Sequence, residues 1–295
     1  MRWPRTCATE ALRSPDADVR RSTDARPIGV FDSGVGGLTV LSELRRRLPA
    51  ESTIYLGDNA RTPYGPRSRG EVRRFTAECV GWLLDQDVKL LLLACNTATA
   101  QALDLVRELA AVPVLGVVRP GAVAVAAATR TRHVGVIATA GTVESDAYPR
   151  AIEEADPRTA VAQQACPDLV PLVEAGTLDG SVAEKAVGGY LGELFTRDPR
   201  IDTLLLGCTH YPLLRPLIER LAGPAVSVVD SAFTAALATE DLLDALGARS
   251  PGGGPTNRIV TTGDVAAFTS VAARVFGAQL PQVEATSVQA VPAVD

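Results

Sequence analysis

Two segments of this chain each end a leucine run with a cysteine that is followed by small polar residues. They are Leu90–Thr97 (LLLLACNT) and Thr203–His210 (TLLLGCTH). A leucine run of this length predicts a buried strand, and a side chain directly after such a strand lies at the edge of the sheet. The repetition therefore predicts two thiols, Cys95 and Cys208, that face one pocket.

The surroundings of both cysteines favour chemistry over simple packing. An isolated cysteine after an apolar run is usually a small core residue. Here Asn96 and Thr97 predict a helix start after Cys95, with either of them as its cap, and a helix N-terminus lowers the pKa of a thiol. His210 follows Cys208 closely enough to hydrogen-bond that thiol or shuttle a proton.

A glycine-rich turn, DSGVGG (32–37), follows another predicted strand. Two interpretations of this turn are possible, an ordinary turn and a phosphate-binding loop, although the dinucleotide spacing GxGxxG is not met. An acid directly after the strand repels phosphate, so Asp32 is better suited to bind an ammonium group or to orient a thiol. The segments that contain Tyr64 (57–65) and Glu174 (171–176) read, taken alone, as surface loops.

From Pro27 onward, short apolar runs alternate with amphipathic stretches, which predicts an α/β fold of βαβ units. Strands are expected at 28–31, 53–56, 90–94, 114–117, 134–137, 160–163, 203–206, 227–229 and 258–261. Helices are expected near 38–48, 68–85, 98–110, 121–130, 143–155, 181–196, 212–222 and 232–246.

The two halves of the chain carry an internal repeat. IGVFDSG (28–34) matches VGVIATA (134–140), and each of these strands precedes one of the two cysteine strands. We therefore expect two similar α/β domains with parallel central sheets, flanking helices and the active site in the cleft between them. The predicted limits are 27–120 plus 229–282 for the first domain and 121–228 for the second, with a disordered extension (1–26) and a C-terminal tail (283–295).

Composition excludes several classes of protein. The 295 residues carry a net charge of −5, which provides no basic surface for nucleic acid. No run approaches the roughly 18 apolar residues of a membrane span, and the first 26 residues lack the apolar core of a secretory signal. Five cysteines, an odd number, do not suggest a disulfide framework, so a reducing cytoplasm is expected. No CxxC or HxxxH spacing indicates a metal site.

Five ordered segments together resemble the cofactor-independent Asp/Glu racemase superfamily and, within it, the glutamate racemases. They are IGVFDSGVGGLTVL (28–41), YLGDNARTPYGPRS (55–68), ACNTATA (94–100), CPDLVPLVEAG (166–176) and GCTHYPLL (207–214). The resemblance implies reversible inversion of glutamate by two cysteines, which supplies D-glutamate for peptidoglycan. One departure is Arg119, at a position where an acidic residue or glutamine is common.

The resemblance also implies roles for individual residues. Cys95 and Cys208 would be the two acid/bases, with Asp32 assisting Cys95 and with His210 and Glu174 assisting Cys208. The amino acid would be bound by Asp32, Ser33, Tyr64, Gly65, Asn96, Thr97, Thr209 and His210. No cofactor is expected, because Lys89 and Lys185, the two lysines, lie outside the motifs and offer no pyridoxal site.

Three alternatives stay open at this point. A racemase of the same superfamily acting on aspartate or another acid differs in few contacts. A cysteine hydrolase would use one thiol with His210 and leave the second thiol unexplained. A binding protein without catalysis would need neither thiol. The resemblance leaves open a homodimer and DNA gyrase as a partner, and no residue pattern supports either.

Overall fold

The computed structural model describes residues 23–276, 280 and 282–289. All nine predicted strands form within these residues, and a tenth follows them. The strands are β1 (Ile28–Asp32), β2 (Thr53–Gly57), β3 (Leu90–Leu93), β4 (Val114–Gly116), β5 (His133–Ala138), β6 (Ala160–Ala165), β7 (Thr203–Gly207), β8 (Ser227–Asp230), β9 (Asn257–Thr261) and β10 (Val283–Ala285).

Helices connect the strands. They are α1 (Leu38–Arg47), α2 (Arg69–Leu84), α3 (Asn96–Leu109), α4 (Val118–Ala128), α5 (Ala140–Glu144), α6 (Ala147–Ala155), α7 (Leu169–Glu174), α8 (Ser181–Arg197), α9 (Arg215–Ala222), α10 (Ser231–Leu246) and α11 (Val265–Phe276), with a 3₁₀ turn at Tyr211–Leu214. The single helix expected at 143–155 is divided into α5 and α6, because Asp146 adopts the left-handed backbone conformation (φ 52°). Neither α7 nor α11 was predicted.

The strands form two parallel sheets, a six-stranded sheet β10-β9-β2-β1-β3-β4 and a four-stranded sheet β6-β5-β7-β8. The order β2-β1-β3-β4 is repeated as β6-β5-β7-β8, so the cysteine strands β3 and β7 occupy equivalent positions. The prediction of two similar α/β units with parallel sheets is confirmed. The exact domain limits stay a prediction, and β8 extends across the expected limit at residue 228.

The predicted ends of the chain need two corrections. The C-terminal tail was expected from residue 283, but Val283–Ala285 pairs in parallel with β9 and completes the six-stranded sheet. Three residues are too short for a sequence pattern to reveal a strand. The predicted disordered extension includes Asp24 and Arg26, yet the Asp24 N–H donates to the Arg249 carbonyl at 3.1 Å. Residues 1–22 and 290–295 lie outside the described residues.

The leucine runs are buried on both faces of their sheets, which explains their continuous apolar character. In β3, Leu90 and Leu92 pack with α1, α10 and α11, whereas Leu91 and Leu93 pack with α2 and α3. In β7, residues 204 and 206 pack with α7, α8 and α9, while Leu205 packs with α4 and α6. Each cysteine therefore follows a strand held from both sides.

A buried ion pair anchors the amino end of β3. Lys89 Nζ lies 2.6 Å from Glu51 Oε2, and the two side chains are only 1% and 3% exposed. The ammonium group also donates to the carbonyls of Asp24 and Ala248, and the second Glu51 oxygen accepts from the Ser250 N–H at 2.8 Å. A buried ammonium is stable only when it has several hydrogen-bond acceptors. The Asp24 carbonyl is one of them, so this interaction holds the backbone at Asp24 against the rest of the protein.

We expect Lys89→Met to lower the free energy of unfolding by about 3–5 kcal/mol, because the substitution leaves Glu51 buried without its cation. The double variant Lys89→Met with Glu51→Gln should recover most of this loss. Urea denaturation measures the free energy of unfolding of both variants, and Lys185→Met, at an exposed lysine, is the control. A single variant as stable as the control would contradict the structural role of this pair.

Candidate active site

Cys95 and Cys208 line one cavity of about 220 Å³ at the carboxyl ends of β3 and β7. The structure thus brings together two thiols that come from different sheets. The cavity is also lined by Ser33, Thr62, Pro63, Tyr64, Gly65, Pro66, Asn96, Thr97, Thr139, Ala140, Pro167, Val170, Pro171, Thr209 and His210. Of the eleven residues assigned a site role from the sequence, nine line this cavity, and Asp32 and Glu174 do not.

Cys95 is itself the N-cap of α3, so the expectation of Asn96 or Thr97 as the cap is wrong. Its Sγ accepts from the Ala98 N–H at 3.4 Å and lies 3.4 Å from Ser33 Oγ. Burial, reinforced by the Asp32 carboxylate, raises the pKa of the Cys95 thiol to about 12. The sequence predicted a lowered pKa, but one long hydrogen bond at a helix end does not offset the loss of solvent.

His210 links Cys208 to Glu174. Its Nδ1 lies 3.9 Å from Cys208 Sγ, and its Nε2 lies 3.1 Å from Glu174 Oε1. Burial alone lowers the pKa of His210, but the interactions with Cys208 and Glu174 prevail and raise it to about 10. The ring is therefore an imidazolium at neutral pH. Glu174 ends α7 and contacts His210 from outside the cavity, so it is not the solvated loop carboxylate that its local sequence suggests.

Asp32 is fully buried behind Ser33. Its Oδ2 accepts from the Gly34 N–H at 3.0 Å and lies 3.4 Å from the Tyr55 hydroxyl. Burial raises the pKa of this carboxyl, although the charge of His210 acts in the opposite direction. The Asp32 charge thus acts on both Cys95 and His210, whereas direct binding of a substrate by its carboxylate stays a prediction.

The glycines of the turn after β1 are explained by close approach of other groups. A Cβ at Gly36 would lie 2.4 Å from the His210 ring and from Thr209 Oγ1, and a Cβ at Gly37 would lie 2.5 Å from Asp32 Cβ. The Thr39 hydroxyl also contacts the Thr209 carbonyl at 3.0 Å. Packing against the second cysteine motif therefore accounts for this turn without a phosphate ligand.

The loop after β2 contributes Tyr64 and Gly65 to the cavity wall. The Tyr64 hydroxyl donates to Asp58 Oδ2 at 2.5 Å, and Asp58 also accepts from Arg61 Nε and from the Thr262 hydroxyl. Because its hydroxyl is engaged, Tyr64 offers its ring and backbone to a ligand. Gly65 contacts the second half of the molecule, since its carbonyl accepts from the N–H of Gly141, in α5, at 3.0 Å.

Asn96 and Thr97 meet residues that the sequence analysis did not identify. Thr97 Oγ1 lies 2.9 Å from Thr139 Oγ1, which lines the same cavity. Asn96 Nδ2 donates to the Tyr148 hydroxyl at 2.7 Å. The internal repeat could have indicated Thr139, because it aligns with Ser33. No local pattern marks Tyr148.

Comparison with known proteins decides the family. The model of the family described as Asp/Glu/Hydantoin racemase matches residues 28–239. A curated glutamate racemase of Oceanobacillus iheyensis is 46% identical over 252 residues, which cover 85% of this chain and 92% of the relative. The chain belongs to the Asp/Glu/hydantoin racemase family.

Solved structures agree with this family assignment. The chain is similar to a glutamate racemase isoform of Bacillus anthracis, with a TM-score of 0.84 and 42% identity over 90% of this chain and 97% of that one. It is also similar to the glutamate racemase of Francisella tularensis in complex with D-glutamate, with a TM-score of 0.82 and 36% identity over 90% and 98% of the two chains.

Other features of this racemase-family chain do not compete with the thiol cavity. A more open groove of about 730 Å³ lies between α1, α10 and Arg215, and neither cysteine nor histidine lines it. No three His, Cys, Asp or Glu side chains cluster as metal ligands in the part of the chain that is described. Among those same residues, no helix is both long and apolar enough to cross a membrane.

The raised pKa of His210 predicts how stability depends on pH. The folded protein holds this proton up to about pH 10, whereas an unfolded histidine releases it near pH 6.5. The stabilisation is therefore complete below about pH 6.5 and is lost progressively as the pH rises towards 10. Urea unfolding of the wild type and of His210→Gln should show a stability difference that shrinks from pH 6 to pH 9.5. A stability difference between the two proteins that stays constant with pH would contradict the raised pKa of His210.

Proposed function

We propose that this chain interconverts L-glutamate and D-glutamate, with Cys95 and Cys208 as the two acid/bases and without a cofactor. The observation that carries this proposal is the delivery of two thiols, by equivalent strands of two sheets, to one cavity. The relatives that share 42–46% of the sequence are glutamate racemases, and one further relative binds D-glutamate.

Inversion of an α-carbon explains the need for two thiols. A proton must leave one face of the carbon, and another must arrive at the opposite face. A single base tends to return the proton that it took, whereas a thiolate on one side and a thiol on the other complete the inversion. The arrangement also works in reverse, because either sulfur can begin as the base.

The charges around the cavity suit this exchange. The imidazolium of His210 places a positive charge 3.9 Å from Cys208 Sγ, which stabilises negative charge at that sulfur. The raised pKa of Cys95 favours the thiol on the other side. Most of the groups that line the cavity are buried, so hydrogen-bond donors near the substrate carboxylate act in a lower dielectric than that of water as the carbanion forms.

Neither lysine of the chain lies at the cavity, where it would be needed to bind pyridoxal phosphate. Lys89 is buried in its ion pair at the opposite, amino end of β3. Lys185 lies on the exposed side of α8. We therefore propose that the chain's own side chains hold and move every proton. The supply of D-glutamate for peptidoglycan follows from this activity.

Partners other than glutamate stay predictions. Formation of a homodimer and binding to DNA gyrase are the two predicted interactions, and both concern surfaces outside the cavity. A reducing cytoplasm fits the free cysteines at 79, 95, 166 and 208. Aspartate as an alternative substrate is tested directly by assaying both amino acids side by side.

The deciding experiment follows glutamate in deuterated water, by NMR for α-proton exchange and by polarimetry for inversion. We expect the wild type to exchange and invert glutamate without an added cofactor. Cys95→Ala and Cys208→Ala should each lower the rate at least about 100-fold, because each removes one acid/base. Cys79→Ala and Cys166→Ala, in residues outside the cavity lining, serve as matched controls and should stay within about threefold of the wild type.

Two results would overturn the proposal. Folded wild-type protein that neither exchanges nor inverts glutamate would exclude the racemase. Full activity in either cavity variant would exclude the pair of acid/bases. A hydrolase is distinguished by mass spectrometry, because it forms a thioester on one cysteine and needs only that one.

A further inference from the structure

The loop that follows β2, residues 58–66, supplies a continuous part of the cavity wall. Its members in the lining are Thr62, Pro63, Tyr64, Gly65 and Pro66. The loop lies between β2 and α2 and contains no helix or strand, so no regular backbone hydrogen bonding determines its shape. Side chains within the loop and beside it must therefore hold these residues at the cavity.

Asp58 is the centre of the contacts within this loop. It is fully buried, and its Oδ2 accepts from the Tyr64 hydroxyl at 2.5 Å and from Arg61 Nε at 2.7 Å. The Arg61 guanidinium in turn stacks on a side chain of α2, with its Cζ 4.3 Å from the centroid of the Phe75 ring. The carboxylate therefore connects the tyrosine of the cavity wall to a helix outside the loop.

Thr262, which directly follows β9, binds the other oxygen of this carboxylate. Its hydroxyl donates to Asp58 Oδ1 at 2.6 Å and accepts from the Ala60 N–H at 3.2 Å. Both directions are fixed, because a backbone N–H can only donate and the hydroxyl proton is then left for the carboxylate. Among the described residues, the Thr262 hydroxyl is the one donor to Asp58 Oδ1.

The sheet register brings Thr262 to the start of the loop. Gly57 of β2 pairs with Thr261 of β9, so the next residues, Asp58 and Thr262, leave the sheet side by side. The Thr262 N–H also donates to the Gly57 carbonyl at 3.1 Å. A Cβ at Gly263 would lie 3.0 Å from the Ala60 nitrogen, so the absence of a side chain there lets the two segments pack directly.

We propose that Thr262 is a positioning residue that acts through Asp58 to hold Tyr64 and Gly65 at the wall where the substrate binds. Neither Thr262 nor Asp58 lines the cavity, so their effect on a ligand is indirect. The inference rests on the proposed function, since binding of glutamate at Tyr64 and Gly65 is part of that function. It gives the segment after β9 a part in substrate binding.

The test is Thr262→Val, which replaces the hydroxyl with a methyl group of similar size and leaves Asp58 Oδ1 buried without a donor. We expect KM for D-glutamate to rise by about five- to tenfold as the wall loosens. The change in kcat should stay below about threefold, because β9 pairs with β2 and β10 and not with the cysteine strands. Steady-state racemisation of D-glutamate measures both constants.

The conservative variant separates the hydrogen bond from packing. Thr262→Ser keeps the hydroxyl, so KM should lie within about twofold of the wild-type value. Loss of packing alone would give the opposite order, because Thr262→Ser removes the methyl group that Thr262→Val keeps. The matched control is Thr196→Val, at an exposed threonine whose hydroxyl donates to the Gly192 carbonyl of its own helix.

A double-mutant cycle tests the route through Asp58. Tyr64→Phe removes the tyrosine hydroxyl that binds Asp58, so Thr262→Val should raise KM by less than about twofold further in that background. Independent effects of the two substitutions on KM would overturn this route. If Thr262→Val does not fold, Thr262→Ala removes the same hydroxyl without adding a methyl group and provides the same comparison.

Failure of this inference is distinct from failure of the proposed function. A wild type that neither exchanges nor inverts glutamate contradicts the function itself. A wild type that racemises glutamate while Thr262→Val leaves KM unchanged contradicts only the positioning role. A Thr262→Ser variant with a KM as high as that of Thr262→Val contradicts it as well.

Discussion

Burial of the two leucine strands on both faces is the constraint on which the site depends. A fully buried leucine contributes roughly 1.5–3 kcal/mol, and in β3 the four leucines are shared between two separate cores. A shift of either strand by one residue would exchange its two faces and break the packing that each face makes with its own helices. Cys208 follows β7 directly and Cys95 follows β3 after Ala94, so the packing of the strands also sets the positions of the sulfurs.

The two thiols occupy unlike environments despite their equivalent strands. Cys95 is buried near the Asp32 carboxylate, and both effects favour its neutral form. Cys208 stands beside the imidazolium of His210, which Glu174 supports from outside the cavity. The proposed inversion needs one acid and one base at any moment, and the unlike charges around the two sulfurs match that need. The fold is therefore symmetric in backbone and asymmetric in charge.

Contacts between the two sheets close the cavity from several sides. Three hydrogen bonds join the two halves of the molecule: Gly65 with Gly141, Thr97 with Thr139, and Asn96 with Tyr148. On the far side, the glycine turn packs directly against His210 because no Cβ intervenes at residue 36. The first three contacts are hydrogen bonds and the fourth is close packing, and together they hold the two halves of the molecule on either side of the cavity.

The sequence by itself determined the strands, their duplication and the cysteines, because apolar runs and turn residues report local burial and local geometry. It also indicated the α/β class, but β10 and α7 were too short to carry a pattern. Only the tertiary structure decided the pKa of Cys95, the contact of Glu174 with His210 and the contact of Asn96 with Tyr148. These depend on desolvation and on partners far apart in the chain, such as Asn96 and Tyr148, whose proximity no local pattern encodes.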